Sequence, residues 1–110
     1  MDTKVFNSLM TQTVGLGKIA LDQYGQETVT QSFSESGFIE YKRERGIDAQ
    51  GEEIEYNAKC FLKSDSNIDA SHDRWQVTDQ HTGRAMEVVD IQPMRDPRDD
   101  TLHHYELKTR

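Results

Sequence analysis

The sequence predicts an all-β domain: a small barrel or sandwich of about six short antiparallel strands, with a short helix in front. Three observations carry this expectation. Residues 73–108 hold three runs in which apolar residues fall two apart: Trp75 with Val77, Met86 with Val88 (Val89 and Ile91 on the opposite phase), and Tyr105 with Leu107. Polar turns at 78–83 and 95–101, carrying Asp with Gly or Pro, separate the runs and make them a C-terminal three-stranded meander. Upstream, Ile54, Tyr56, Ala58, Cys60 and Leu62 alternate without a fault, as a half-buried strand requires. Finally, the chain shows neither an internal repeat nor the strand–helix alternation of a nucleotide-binding βαβ fold.

The remaining elements follow in order. Asp2 or Thr3 is a candidate cap for a short N-terminal helix whose face is Phe6, Leu9 and Met10, continued by Thr13, Leu16 and Ala20. Gly15 and Gly17 each weaken a helix by about 1 kcal/mol relative to Ala, so the helical segment is assigned within residues 1–17 and expected to end before Gly15. Residues 18–24 read equally as a strand or a helical tail. Residues 27–33 are rich in β-formers and end in Ser34-Glu35-Ser36-Gly37, which reads as strand and turn. Residues 38–45 make a further strand, the turn 46–52 follows, and residues 54–63 return. Residues 34–53 are expected to form a long loop or a hairpin arm, within one β-barrel domain spanning residues 1–110.

At 110 residues the chain has the size of one domain, and such a chain buries roughly two-thirds of its unfolded surface. Only 34% of the residues are hydrophobic and the mean hydropathy is −0.86, so the core is expected to be thin, in a small barrel or sandwich with long polar loops or in a subunit that completes itself by assembling. The net charge of −7 opposes binding to duplex DNA or RNA, which needs a basic face. It is compatible with a surface past which nucleic acid slides without sticking. The single cysteine, Cys60, lies in an apolar run and reads as a buried small hydrophobe in a protein made in a reducing compartment. No stretch has the length of a membrane span or the form of a secretory signal.

His72 and His81 stand alone, and the adjacent His103 and His104 are expected on opposite faces of a strand, unable to grip one ion. Asp96, Asp99 and Asp100 around Pro97 lack the ligand spacing of a calcium loop and read as turn chemistry. Neither a nucleophile elbow nor a phosphate-binding glycine loop occurs, and Glu52-Glu53 and Asp99-Asp100 fall in predicted turns. The chain is therefore expected to be no enzyme and to use neither metal nor cofactor. The stretch most suited to contact is Phe38, Ile39, Tyr41, Lys42, Arg43 and Arg45, where aromatics and both signs of charge meet in a polar segment. A plain solvated hairpin is an equal reading of it.

The wording of the meander resembles a known family. Asp73-Arg74-Trp75-Gln76-Val77, then Met86-Glu87-Val88-Val89-Asp90-Ile91-Gln92-Pro93, an acidic turn, and His103-His104-Tyr105-Glu106-Leu107 are similar to the small head-closure (stopper, or head–tail joining) proteins of long-tailed bacteriophages. The preceding Ile68-Asp69 suits the pattern, while His72-Asp73 stands where it often opens with Gly-Asp. The likeness covers roughly the last 40 residues, and residues 1–65 match only in length and strand content. It implies a structural virion protein with a small β-barrel. Copies would form a ring below the portal and its adaptor, close the DNA-filled head, and offer a docking surface to tail-terminator or tail-tube proteins. The packaged DNA would pass the channel unbound. The implied location is the head–tail interface of the virion, assembled in the host cytoplasm. Two other expectations stand beside it: a tail-completion or other connector component, and a small β-barrel module for single-stranded nucleic acid, which the charge opposes.

Overall fold

Four reversals of the chain are built from one piece of chemistry: an aspartate that opens the turn and a residue with positive φ near its end. In the computed structural model, which describes residues 10–48, 50–66, 68 and 74–110, Asp22 Oδ1 accepts the amides of Tyr24 (2.8 Å) and Gln26 (2.9 Å). Asp48 Oδ1 does the same for Gln50 (3.0 Å) and Glu52 (2.8 Å). Gly25 and Gly51, at φ 77° and 84°, complete these two turns, a conformation glycine adopts at no steric cost. Asp79 Oδ1 takes the amide of His81, and Asp96 Oδ1 that of Arg98, both at 2.9 Å. Gly83 (φ 76°) and Asp100 (φ 60°) close these two. Each Asp amide also bonds across the turn, for example Asp79 N to Arg84 O at 2.9 Å and Asp96 N to Thr101 O at 2.8 Å.

These turns join β1 (Gln12–Leu21) to β2 (Glu27–Ile47), β2 to β3 (Glu53–Lys63), β4 (Arg74–Asp79) to β5 (Ala85–Arg95) and β5 to β6 (Leu102–Thr109). All pairings are antiparallel, and the order β1-β2-β3-β6-β5-β4 closes because β4 pairs back to β1 from Val14↔Asp79 to Ile19↔Arg74. The all-β class, the six strands and the C-terminal meander β4-β5-β6 agree with expectation. Every second residue of each strand faces inward, so Val14, Leu16, Cys60, Leu62, Val77 and Leu107 meet in a core sealed by Trp75.

Two expectations are corrected. Residues 12–17 of the proposed helical segment are strand: Val14 and Leu16 enter the core between Thr13, Gly15 and Gly17, a period of two rather than 3.6. Of the rest of the proposed helix, Met10 and Thr11 belong to no helix or strand, and residues 1–9 lie outside the described residues. The strands are also not all short. Ser34-Glu35-Ser36-Gly37 continues the strand instead of turning, which fuses two expected strands into the 21 residues of β2. Fully extended, β2 would span about 70 Å, against a longest dimension of 47 Å, so it must bend. It does so at irregularities opposite Lys18/Ile19 and between Tyr41 and Glu44.

The first half of β2 pairs with β1 (27–37) and the second with β3 (37–47). Gly37 belongs to both, facing Gln12 on one side and Leu62 on the other. β6 meets β3 only from Ala58 to Lys63. Among the described residues, 44–47 and 53–56 therefore pair with each other alone and form a two-stranded arm, rooted by the buried Tyr56. The arm is braced, since Lys108 Nζ and Gln92 Nε2 both donate to the Ile47 carbonyl, at 3.4 and 3.5 Å. Residues 34–53 are thus paired strands and their turn, not a loop.

Candidate functional site

The contact stretch of residues 38–45 does not present one face. The pleat turns Ile39 into the core, 5% exposed, where its amide donates to Gln12 Oε1 at 3.1 Å. Ile39 is therefore not available as a docking residue while the barrel is folded. Tyr41 lies opposite Ala58 near the barrel mouth. Its hydroxyl donates to Asp79 Oδ2 at 2.6 Å and Arg84 stacks 5.5 Å from its ring, tying β2 to the β4–β5 turn. The charged members run along the arm in pairs: Lys42 with Glu44 (2.6 Å), Arg43 with Glu55 (3.1 Å) and Arg45 with Glu53 (3.7 Å). All three cations are solvent-exposed, so each pair adds little stability and stays open to exchange with a partner's carboxylate. Ile47, at the arm's end, is 62% exposed.

The Tyr41–Asp79 bond sets the titration of both groups. Burial and the neighbouring carboxylate push the Tyr41 phenol up, and the phenol's hydrogen bond holds the Asp79 carboxyl below its ordinary value of 3.8. A depressed carboxylate stabilises the fold above its unfolded pKa, and that contribution is lost as pH falls through the folded value. Tyr41→Phe is expected to cost about 1 kcal/mol at neutral pH, with the deficit vanishing in strong acid. Denaturant unfolding of both proteins at the two pH values checks it, and an equal deficit at both would refute the assignment.

Phe38 points outward and belongs to a stripe the sequence did not reveal as a unit. It faces Phe61 directly across β2–β3 with ring centroids 6.4 Å apart, and Phe61 lies 6.1 Å from the His104 ring. Phe61 sits between the inward Cys60 and Leu62, and being out of phase with the alternation was its signal. Met94 pairs with His104 on the far side. The stripe thus crosses the outer wall from β2 to β5, with Lys63 opposite His104 in register. A second apolar group occupies the end of the β1–β2 hairpin, where Leu21 is 66% and Tyr24 79% exposed. Sequence reading passed over these two, although an aromatic inside an Asp-x-Tyr-Gly turn has nowhere to go but outward.

The adjacent histidines of β6 depart from expectation, while His81 lies in a turn as expected and His72 lies outside the described residues. His103 and His104 do not diverge: their Nδ1 atoms are 2.8 Å apart, one imidazole N–H donating to the other ring nitrogen. They stand at the start of β6, where pairing to β5 slips between Met94 and Arg95, and this irregularity lets neighbouring side chains swing together. Burial and the facing His103 lower the pKa of His104, favouring the neutral form that such a bond needs. Among the described residues, no three of His, Cys, Asp or Glu gather as metal ligands. The Asp96 carboxylate is taken by the Arg98 guanidinium (2.8 Å) and Asp99 by the Thr101 hydroxyl (2.7 Å), so both serve the turn. Cys60 is fully buried and its thiol is pushed up to about 12, which keeps it from acting as a nucleophile at neutral pH.

No family model matches the chain, nor does any curated protein or solved structure.

Proposed function

We propose that this chain is a structural, non-catalytic subunit of the head–tail connector of a long-tailed phage, of the head-closure type. The observation that carries the reading beyond the resemblance of β4-β5-β6 is the braced arm. Residues 44–47 and 53–56 pair only with each other among the described residues and, with Arg43 beside them, present Arg43, Arg45 and Ile47 on a fixed two-stranded support. A partner meeting such a support orders few new groups, which is where preorganised interfaces gain affinity. The arm serves as the contact to the portal or its adaptor, and the remaining outer wall serves the ring neighbours and the tail. The net charge of −7 per copy, repeated around a ring, gives a channel wall to which DNA does not adhere. The subunit belongs to the virion and is assembled in the host cytoplasm.

Electron microscopy of particles made without this chain tests the proposal. Emptied heads beside finished, unattached tails are the expected result. Stably filled heads beside defective tails would move the chain to tail completion, and normal particles would remove it from the connector.

A further inference from the structure

His103 and His104 meet nearly in line. Their Nδ1 atoms are 2.8 Å apart and their ring centroids 5.1 Å, little more than that separation plus the two ring radii, with the ring planes at 80°. The gap between the nitrogens fits one shared proton and is too short for a metal ion. Such a bond needs a proton on one ring nitrogen and a lone pair on the other. It survives the first added proton, because an imidazolium still donates to a neutral imidazole. It cannot survive the second, which leaves two donors, two like charges and no acceptor.

The pair stands beside the most lightly held part of the β5–β6 hairpin. Beyond the slip between Met94 and Arg95, the hairpin end has the pair Arg95↔Leu102 and the turn bonds Asp96 N to Thr101 O and Asp100 N to Asp96 O, both 2.8 Å. His103 is buried, and the half-buried His104 ring lies 6.1 Å from that of Phe61. Two repelling rings therefore cannot part without one of them leaving its place. We propose that this pair is a proton-operated latch: with one ring neutral it holds the end of the β5–β6 hairpin closed, and with both rings charged it releases that end and uncovers Phe61.

The charges around the pair place the latch on the acid side of neutrality. On β6, Glu106 favours the charged form of His104 but is engaged by Lys59 of β3 at 3.3 Å. Lys63 of β3 stands opposite His104, and Glu35 of β2 and Asp65 line a cavity with that lysine. On β5, His104 faces the uncharged Met94, and Arg95 pairs with Leu102. In the turn, Asp96 lies near His103 and is held by Arg98 at 2.8 Å, which keeps its carboxyl far below the usual range and charged throughout. Burial first, and His103 second, hold His104 below its ordinary value of 6.5. The unfolded chain takes up this proton before the folded one, so the stability is present above the unfolded value and lost as pH falls through the lowered folded one. The latch uses groups of one copy and stands apart from the connector reading.

Nitrogen-15 spectra of both imidazoles, recorded with amide hydrogen exchange on the full chain from about pH 8 to about pH 4, test it. The rings are expected to titrate as a coupled pair in two separated steps, the second below the ordinary histidine value. After correction for the intrinsic pH dependence of exchange, the amides of Asp96 and Asp100 should lose protection by about tenfold or more with the second step and not with the first. Those of Cys60 and Leu62 in β3 should stay protected. His104→Phe keeps a ring against Phe61, and His103→Gln keeps a polar side chain in the buried place. Each variant is expected to abolish the second step and the release tied to it. Rings that titrate independently, protection unchanged when both are charged, release that persists in the variants, or β3 opening at the same pH would each overturn the inference.

Discussion

Gly37→Ala is expected to destabilise the protein by about 3 kcal/mol, a large share of the 5–15 kcal/mol typical of a domain. The cause is the crossing of three strands at one residue. A Cβ on Gly37 would stand 2.8 Å from the Phe61 carbonyl oxygen and 3.1 Å from both Leu62 Cδ2 and Val14 Cγ2. The first of these is backbone, hydrogen-bonded into the β2–β3 ladder, and the other two belong to fully buried side chains. None can retreat without moving a strand, and packed interiors resist such shifts. Gly51→Ala supplies the control. Its φ of 84° strains any L-residue, but a Cβ there meets nothing within 4 Å, so the cost should stay near 1 kcal/mol. Urea unfolding of the two variants ranks them, and a Gly37→Ala loss no larger than that of Gly51→Ala would sink the account.

The same glycine explains where the sequence stopped being readable. Ser34-Glu35-Ser36-Gly37 has the composition of a turn, yet Gly37 lacks the positive φ that marks Gly25, Gly51 and Gly83. It is glycine for close approach and not for reversal, and composition alone does not separate the two demands. Gly17 misled in the same way. It weakened a helical pattern on paper, whereas in β1 its bare Cα makes room for Val29, whose Cγ1 would lie 3.2 Å from an added Cβ. The meander and β3 were legible because their order is local: alternation fixes the strand, and Asp with Gly or Pro fixes the turn. The pairing of β1 with β4 joins residues some sixty positions apart and leaves no local signature. The contact stretch was legible as a composition and not as a surface, because a period of two divides it. Ile39 goes inward, Phe38 joins a stripe whose other members come from β3 and β6, and Tyr41 is committed to Asp79.

Lys108→Met is expected to cost about 3 kcal/mol or more, because it strips the cation from a buried ion pair. Lys108 Nζ lies 3.9 Å from Asp90 Oδ2, with side chains only 10% and 5% exposed. The ammonium also faces the Tyr56 ring at 5.7 Å and donates to the Ile47 carbonyl at the arm's end. Removing it leaves the Asp90 charge in a dry site and loosens the arm at the same time. Two charges withdrawn from water return little net stability, so deleting both is much less harmful than deleting one. Lys108→Met/Asp90→Leu should therefore recover most of the single-variant loss in global stability, as denaturant unfolding would register. The arm should not recover, because the bond to Ile47 is gone in both variants. Hydrogen exchange separates these consequences: in the double variant the amides of β6 should regain protection while those of residues 44–47 stay fast. A double variant as unstable as Lys108→Met would mean that the pair itself contributes the stability. An arm that regains its protection would mean that Gln92, and not Lys108, holds it against the barrel.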